Sequence, residues 1–469
     1  MAVANESSTV KLLAAVGVTV LWTAVWSVSL LGLHTARKRY QKRPYPHPRL
    51  LSPSTAPEEI PGVTIIRPLL GLDPNLFYNL QTTLALEYPS DKLEIIFAVQ
   101  DPSDPALGVV DLLLNERVGG DPSGPKRWEH VDVKVIVNPE VVGTNPKINN
   151  LVKPFDEAKF EILWVVDATV SMTSSMLARS VEALITPPKS TNIASARGKL
   201  SAERDGLLST GVPVEHTAEY SGVGIVHHLP NAWVPNTTGK GTFGSRLEAC
   251  YLNGVHGRMY LAINATGLES CVVGKSNMYR KSTIAALSGP SGADEPKGLK
   301  AFSPYLPEDN LIAHGIMHQL KLSHAMTPDL AMDCLGPMSL TQYIARRVRW
   351  IRVRKKMVFG ATLIEPLTES IALGIVASWA ANYLFGIRPL WFFVMHESAW
   401  TWMDIMVVAA LRGEYMKGQE LVDWLLVWAA REALALPVWL KAMLGGDQVV
   451  WRSNTYKILK NGEAVKVQQ

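Results

Sequence analysis

The chain has 469 residues, room for about two or three domains, with a net charge of +4 and only 19% charged residues. That balance, with no concentrated basic face and no nucleic-acid motif, excludes a nucleic-acid partner. A hydrophobic share of 47% with 14 tryptophans points to an integral membrane protein, because tryptophan favours the membrane interface.

Leu12 to Leu33 is an almost unbroken apolar run, long enough for a helix to cross a bilayer core. Arg37, Lys38, Arg39, Lys42 and Arg43 follow at once. Positive residues stay on the cytosolic side, so residues 1–36 read as a luminal N-terminus with a signal anchor, and the domain that follows as cytosolic. Residues 37–61 form a basic, Pro- and Ser-rich juxtamembrane linker. Cys250, Cys271 and Cys334 are odd in number and widely spaced, which fits reduced thiols on that side and neither a disulfide framework nor a zinc site.

From residue 62 to 356 strand and helix signals alternate. Val63 to Ile66, Leu93 to Val99, Val131 to Val137 and Ile162 to Val166 read as buried strands, and Asn75 to Leu86 has helical spacing. The alternation predicts an α/β fold: a mostly parallel sheet with helices on its faces and ligands beyond the carboxyl ends of its strands. Asp101 follows the second strand and Asp167 follows Val166. Either carboxylate can grip a nucleotide or a divalent ion on its phosphates; a turn at Asp101-Pro102 and a helix cap at Asp167 are the plainer readings. Their matched positions favour the ligand.

Between them, Gly143 to Asn150 is a polar loop that opens a helix and can set Lys147 and backbone amides against phosphate, or simply cap the helix. The chain has neither a glycine-rich dinucleotide fingerprint nor a Walker loop, so neither NAD nor ATP is implied. Residues 187–221 read as a surface insertion and 288–300 as a loop. Val223 to Pro230 is read as a strand ending in polar groups, with His227 either a substrate contact or a structural histidine.

Tyr305 to Trp350 opens on the acidic pair Glu308-Asp309, runs through a predicted helix and ends on Arg346-Arg347-Val348-Arg349-Trp350. Such a stretch offers a proton acceptor, fixed cations for a phosphorylated leaving group and an aromatic lid; an acidic turn and a basic collar on anionic lipid explain it equally well. Residues 357–445 hold three apolar stretches, about Ala361 to Phe385, Leu390 to Leu411 and Leu421 to Leu444, expected as transmembrane or interfacial helices with a polar seam of ionisable residues. Residues 446–469 are a tail.

The motifs Arg67-Pro68-Leu69, Val99-Gln100-Asp101, Asn145-Pro146-Lys147-Ile148-Asn149-Asn150, Val166-Asp167, Val226-His227-His228-Leu229-Pro230, Glu308-Asp309 and Arg346-x-x-Arg349-Trp350 together resemble the ceramide glucosyltransferase family, inverting enzymes with a GT-A catalytic domain. The resemblance runs from the first apolar segment to Trp451-Arg452. It implies transfer of glucose from UDP-glucose to ceramide, a divalent cation (Mn or Mg), and a multi-pass Golgi or endoplasmic reticulum membrane protein whose catalytic domain faces the cytosol. By resemblance Asp101 contacts the uridine, Asp167 the metal and diphosphate, and Asp309 is the general base. Arg346, Arg349 and Trp350 complete the catalytic set, and His227 matches a histidine associated with the active site. Ala168-Thr169 stands where many relatives have Ser-Gly. The aspartates and the Arg-Trp cluster are shared with processive polysaccharide synthases, which need a channel for the growing chain, and a non-catalytic scaffold of the same fold is the remaining alternative.

Overall fold

The structure is a computed structural model that describes residues 2–43, 45–116, 129–186, 222–235, 241–267, 269–290, 297–451 and 454–467. The insertion expected at 187–221 lies outside the described residues, as do 291–296 of the expected 288–300 loop. The ends of that loop are paired: Ser288 bridges Lys297, and a 3-10 helix covers Gly298–Phe302.

Eight strands make one sheet: β1 (Val63–Pro68), β2 (Leu93–Val99), β3 (Asp132–Val137), β4 (Ile162–Val166), β5 (Val170–Ser171), β6 (Val223–Trp233), β7 (Ser276–Arg280) and β8 (Ser323–Cys334). Their order is β3-β2-β1-β4-β7-β6-β8-β5. The first four are parallel, with Val63 opposite both Leu93 and Ile162, whereas β7 runs against β4 and β6. β1, β2 and β4 are buried on both sides, so their sequences are near-continuous apolar runs, broken only by the buried Thr64, Arg67 and Glu94, and not alternating ones. The strand order reverses direction at β1, which leaves a crevice outside the carboxyl ends of β1 and β4. Asp167 stands at its edge.

The sheet carries a core on each face. Leu80, Val110, Leu113, Leu177 and Val181 cover one side; Ile148, Leu151, Phe155, Ile312 and Ile316 cover the other. The second set belongs to the helices Pro146–Glu157 and Glu308–His318, so packing on the sheet fixes where their N-termini point.

The N-terminal helix runs from Ala2 to Tyr40, with Arg37, Lys38 and Arg39 in its last turn, where cations suit the helix dipole. Its segment Ser8–Tyr40 is long and apolar enough to cross a membrane. It lies close to the helix Gly257–Thr266: a Cβ at Gly32 would collide with the Arg258 carbonyl. The C-terminal stretches form helices at Phe359–Ile364, Ser370–Phe385, Pro389–Arg412 and Gly418–Leu444. Among the described residues only Ser8–Tyr40 passes by itself as a spanning helix; the Phe359–Thr368 and Ser370–Phe385 pair passes only together, bent by 77°. Ionisable groups in these helices meet one another. Arg258 pairs with Asp404, and Arg431 bonds Glu369 at 2.9 Å and also pairs with Glu432. The tail folds as a three-stranded sheet over Gln448–Trp451, Asn454–Ile458 and Ala464–Lys466 and packs on Leu306 and Val353.

Candidate active site

The sequence Asn145-Pro146 starts a helix by two local devices. Proline at the first position needs no hydrogen bond, and the Asn145 side chain accepts from the Lys147 amide at 2.8 Å. The same side chain donates to the Tyr305 carbonyl at 2.7 Å and to Glu308 at 2.8 Å, joining two distant loops. Lys147 thereby enters the crevice. Its ammonium lies 2.7 Å from Asp167, 2.6 Å from the Gly274 carbonyl and 3.6 Å from Glu308.

Glu308 and Asp309 occupy the first turn of the helix Glu308–His318. Asp309 accepts from the Gly274 amide at 2.5 Å and from its neighbour's amide, Asn310, at 2.8 Å. Burial raises the Asp309 carboxyl above its ordinary range, although Lys147 and the two amides act against it. Burial likewise pushes Glu308 up to about 7, opposed by Lys147. Burial also disfavours the charge on Asp167, yet Lys147 and then Lys275 outweigh it and hold that carboxyl below its usual range. Lys147 itself stays charged despite burial because Asp167 and Glu308 face it. The crevice therefore contains one ionised carboxylate and two that are poised to hold or release a proton.

A second lysine extends the network. Lys275 lies 3.0 Å from Asp333, 2.9 Å from the Thr169 hydroxyl and 3.6 Å from Asp167. Arg67, wholly buried beneath, donates to the Val170 carbonyl at 3.0 Å. Burial lowers its guanidinium to about 9, with Asp167 working to keep it charged.

The other residues named from the sequence lie elsewhere. Asp101 is exposed at the end of β2 and accepts from the Ser103 amide at 2.8 Å and hydroxyl at 2.7 Å. His227 is wholly buried within β6, 2.5 Å from the Tyr260 hydroxyl and 3.0 Å from His324, and burial drives it well below its ordinary value, to the neutral form. β6 continues to Trp233, so His227 sits inside the strand and not at its end. Arg346 bonds the buried Glu248 at 2.7 Å and lies over the Trp350 ring at 5.1 Å. Arg349 lies 5.9 Å over Trp451 of the tail, and the buried Arg347 stacks 3.4 Å from the Tyr251 ring. The expected single helix in this stretch is two, Glu308–His318 and Leu340–Met357, with β8 between them.

Glu308 was visible in the sequence only as half of an acidic pair, whereas Lys275, Asp333 and Thr169 carried no spacing signal.

Residues 19–209 and 213–464 match the model of glycosyl transferase family 21. The ceramide glucosyltransferase of Komagataella phaffii is 31% identical, over 96% of this chain and 91% of that protein. The ceramide glucosyltransferase of Pyricularia oryzae is 30% identical, over 95% and 94%. Among solved structures, the mannosyltransferase PcManGT from Pyrobaculum calidifontis in complex with GDP-Man and Mn2+ is 16% identical with a TM-score of 0.41, over 92% of this chain and 99% of that one.

Proposed function

The chain belongs to glycosyl transferase family 21 and is a glycosyltransferase, and from that premise we propose that it transfers glucose from UDP-glucose to the primary hydroxyl of ceramide with inversion, yielding glucosylceramide and UDP. The observation that carries the reading is the pair of buried Glu308 and half-buried Asp309, both raised in pKa and joined through Lys147 to Asp167 at the crevice. Inversion needs a carboxylate that takes the acceptor's proton as its oxygen attacks the anomeric carbon from the side opposite UDP. Asp309 is that base, held in orientation by the Gly274 amide.

The departing diphosphate needs positive charge in fixed positions. Lys147 and Lys275 lie beside Asp167. Arg346 is preset by Glu248 and the Trp350 ring, and Arg349 stands one turn further along the same helix. A divalent cation, Mn2+ or Mg2+, fits the donor set: Asp167 and Asp333 bring carboxylate oxygens to the crevice, and Asp333 Oδ2 is buried with no hydrogen-bond partner among the described residues. Asp167 would hold it, and the ion would supply charge neutralisation at the diphosphate. Asp101, open to solvent, suits the uridine. His227, sealed behind Tyr260, acts on the site only by shaping its wall. Trp350 faces the acceptor.

A lipid acceptor requires the site to stand at a membrane. The helix Ser8–Tyr40 with its basic end supports a Golgi or endoplasmic reticulum location with residues 62–356 facing the cytosol and 357–445 as transmembrane or interfacial helices. The test uses the full-length protein in detergent with ceramide and UDP-glucose. Asp309→Asn is expected to retain UDP-glucose binding and to lose about 10²- to 10⁴-fold in turnover, the range that a general base supplies. Wild-type turnover in that variant removes Asp309 from the role, and absence of a glucosylated lipid from wild-type protein overturns the reaction.

A further inference from the structure

We propose that Glu269, His314 and His318 form a binding site for a zinc-type divalent transition-metal ion, outside the crevice, that ties the helix carrying Asp309 to the segment carrying Gly274. His314 and His318 are four residues apart on the helix Glu308–His318, so their imidazoles project from one face. Their ring centroids are 4.2 Å apart. Glu269 comes from another part of the chain, just beyond Gly267, whose positive φ of 64° ends the helix Gly257–Thr266.

The donor atoms converge. Glu269 Oε1 is 3.2 Å from His318 Nε2 and 3.5 Å from His314 Nδ1, and one donor atom from each residue lies within 4.8 Å of the others. A tetrahedral zinc ion, with bonds to nitrogen and oxygen of about 2.0–2.2 Å, places its ligands about 3.3–3.5 Å apart. Two of the three separations already have that size, and a rotamer adjustment of one imidazole closes the third. Side-chain exposures of 58% for His314, 50% for Glu269 and 31% for His318 give an ion entry and leave room for water in the fourth position.

Both imidazoles lie within ion-pair distance of the Glu269 carboxylate, and a bound ion would join the same three groups with the rings neutral. Neutral imidazole is the form that binds metal. The donor set of two imidazoles and one carboxylate suits zinc, copper or nickel; magnesium and manganese prefer the oxygen-rich crevice around Asp167. The two sites thus differ in the metal they select.

The site's place in the fold gives it a consequence. His314 lies five residues beyond Asp309 on one helix, about 8 Å along its axis. Glu269 lies five residues before Gly274, whose amide holds Asp309 and whose carbonyl holds Lys147. Between them, Cys271 is fixed through both backbone groups to the Asn264 side chain, at 2.8 and 3.0 Å. An ion bound to Glu269, His314 and His318 therefore restrains the two segments that position the carboxylate, whatever the donor or acceptor.

The experiment strips full-length protein in detergent with EDTA and titrates zinc against a chromophoric chelator in excess Mg2+, which occupies the carboxylate crevice. Wild type should bind one zinc more per chain than the double variant His314→Asn/His318→Asn. Glu269→Gln should lose at least about 100-fold in affinity at that site, a larger loss than changes beyond the ligands bring. All three residues are solvent-accessible, so each variant should unfold at the wild-type temperature without metal, and zinc should raise the unfolding temperature of wild type alone. Equal zinc stoichiometry in wild type and double variant, or the same zinc-induced shift in both, overturns the site.

Discussion

The candidate residues fall into two clusters of charge, and these are held by opposite means. Lys147, Asp167, Glu308 and Asp309 come from three separate chain segments and are satisfied mainly by one another and by backbone groups of Gly274 and Asn310. Arg346, Arg347, Arg349 and Trp350 come from little more than one helical turn and lie against aromatic faces and the buried Glu248. Charges that answer only each other can exchange partners when a phosphate or hydroxyl arrives. Charges locked between rings offer a fixed field and move little. In the proposed reaction the first cluster is the reactive one and the second its frame.

The most disruptive way to test that division is to remove the hub. Lys147→Met keeps the length of the side chain and deletes the charge that Asp167 and Glu308 face. Turnover should fall about 10²- to 10³-fold, and stability by about 3 kcal/mol in chemical denaturation, since carboxylates lose a partner in a mostly buried site. Unchanged donor affinity and unchanged stability would show that Lys147 is a bystander.

A milder change probes the frame. Arg346→Lys preserves charge but loses the planar contact with Trp350 and the fixed bond to Glu248. We expect about a tenfold fall in kcat, with stability lowered by about 1 kcal/mol or less, because stacked guanidinium contacts are worth roughly that much. A loss as large as that of Lys147→Met would mean that Arg346 joins the reactive cluster.

The sequence showed much of this and missed it where distant segments meet. Strands such as Leu93–Val99 were legible because burial on both faces leaves a continuous apolar run, and Lys147 because Asn-Pro opens a helix in any context. Asp167 stood out at a strand end. Lys275 and Asp333 did not, since what brings them to Thr169 is the antiparallel entry of β7 and the pairing of β8 with β5, neither of which local pattern specifies. Pro230 made β6 read as ending early; the strand instead absorbs an irregularity between His227 and Leu229 and runs on, which buries His227. The tail's small sheet was hidden in strands of three to five residues, below the length at which alternation can be told from chance.

The smallest expected effect separates the two members of the acidic pair. Glu308 is raised from 4.5 to about 7, chiefly by burial, so between those values the folded chain holds a proton that an unfolded glutamate has released. Its contribution is fully present below about pH 4.5 and is lost as pH rises toward 7, opposite in sign to that of the buried His228, His256 and His324, which burial lowers to about 4, 3 and 4 and which favour the folded state as pH rises toward 6.5. Glu308→Gln removes this slope while keeping an acceptor for Asn145, and leaves in place the shares of Asp309, whose carboxyl is also raised, and of the buried histidines. The unfolding temperature of wild type minus that of the variant, measured from pH 4.5 to 8, should therefore fall by a few degrees across the window. Since Asp309 and not Glu308 receives the Gly274 amide, Glu308→Gln should also keep a larger part of its turnover at neutral pH than Asp309→Asn does. The reverse order would move the base to Glu308 and make Asp309 the residue that only shares its field.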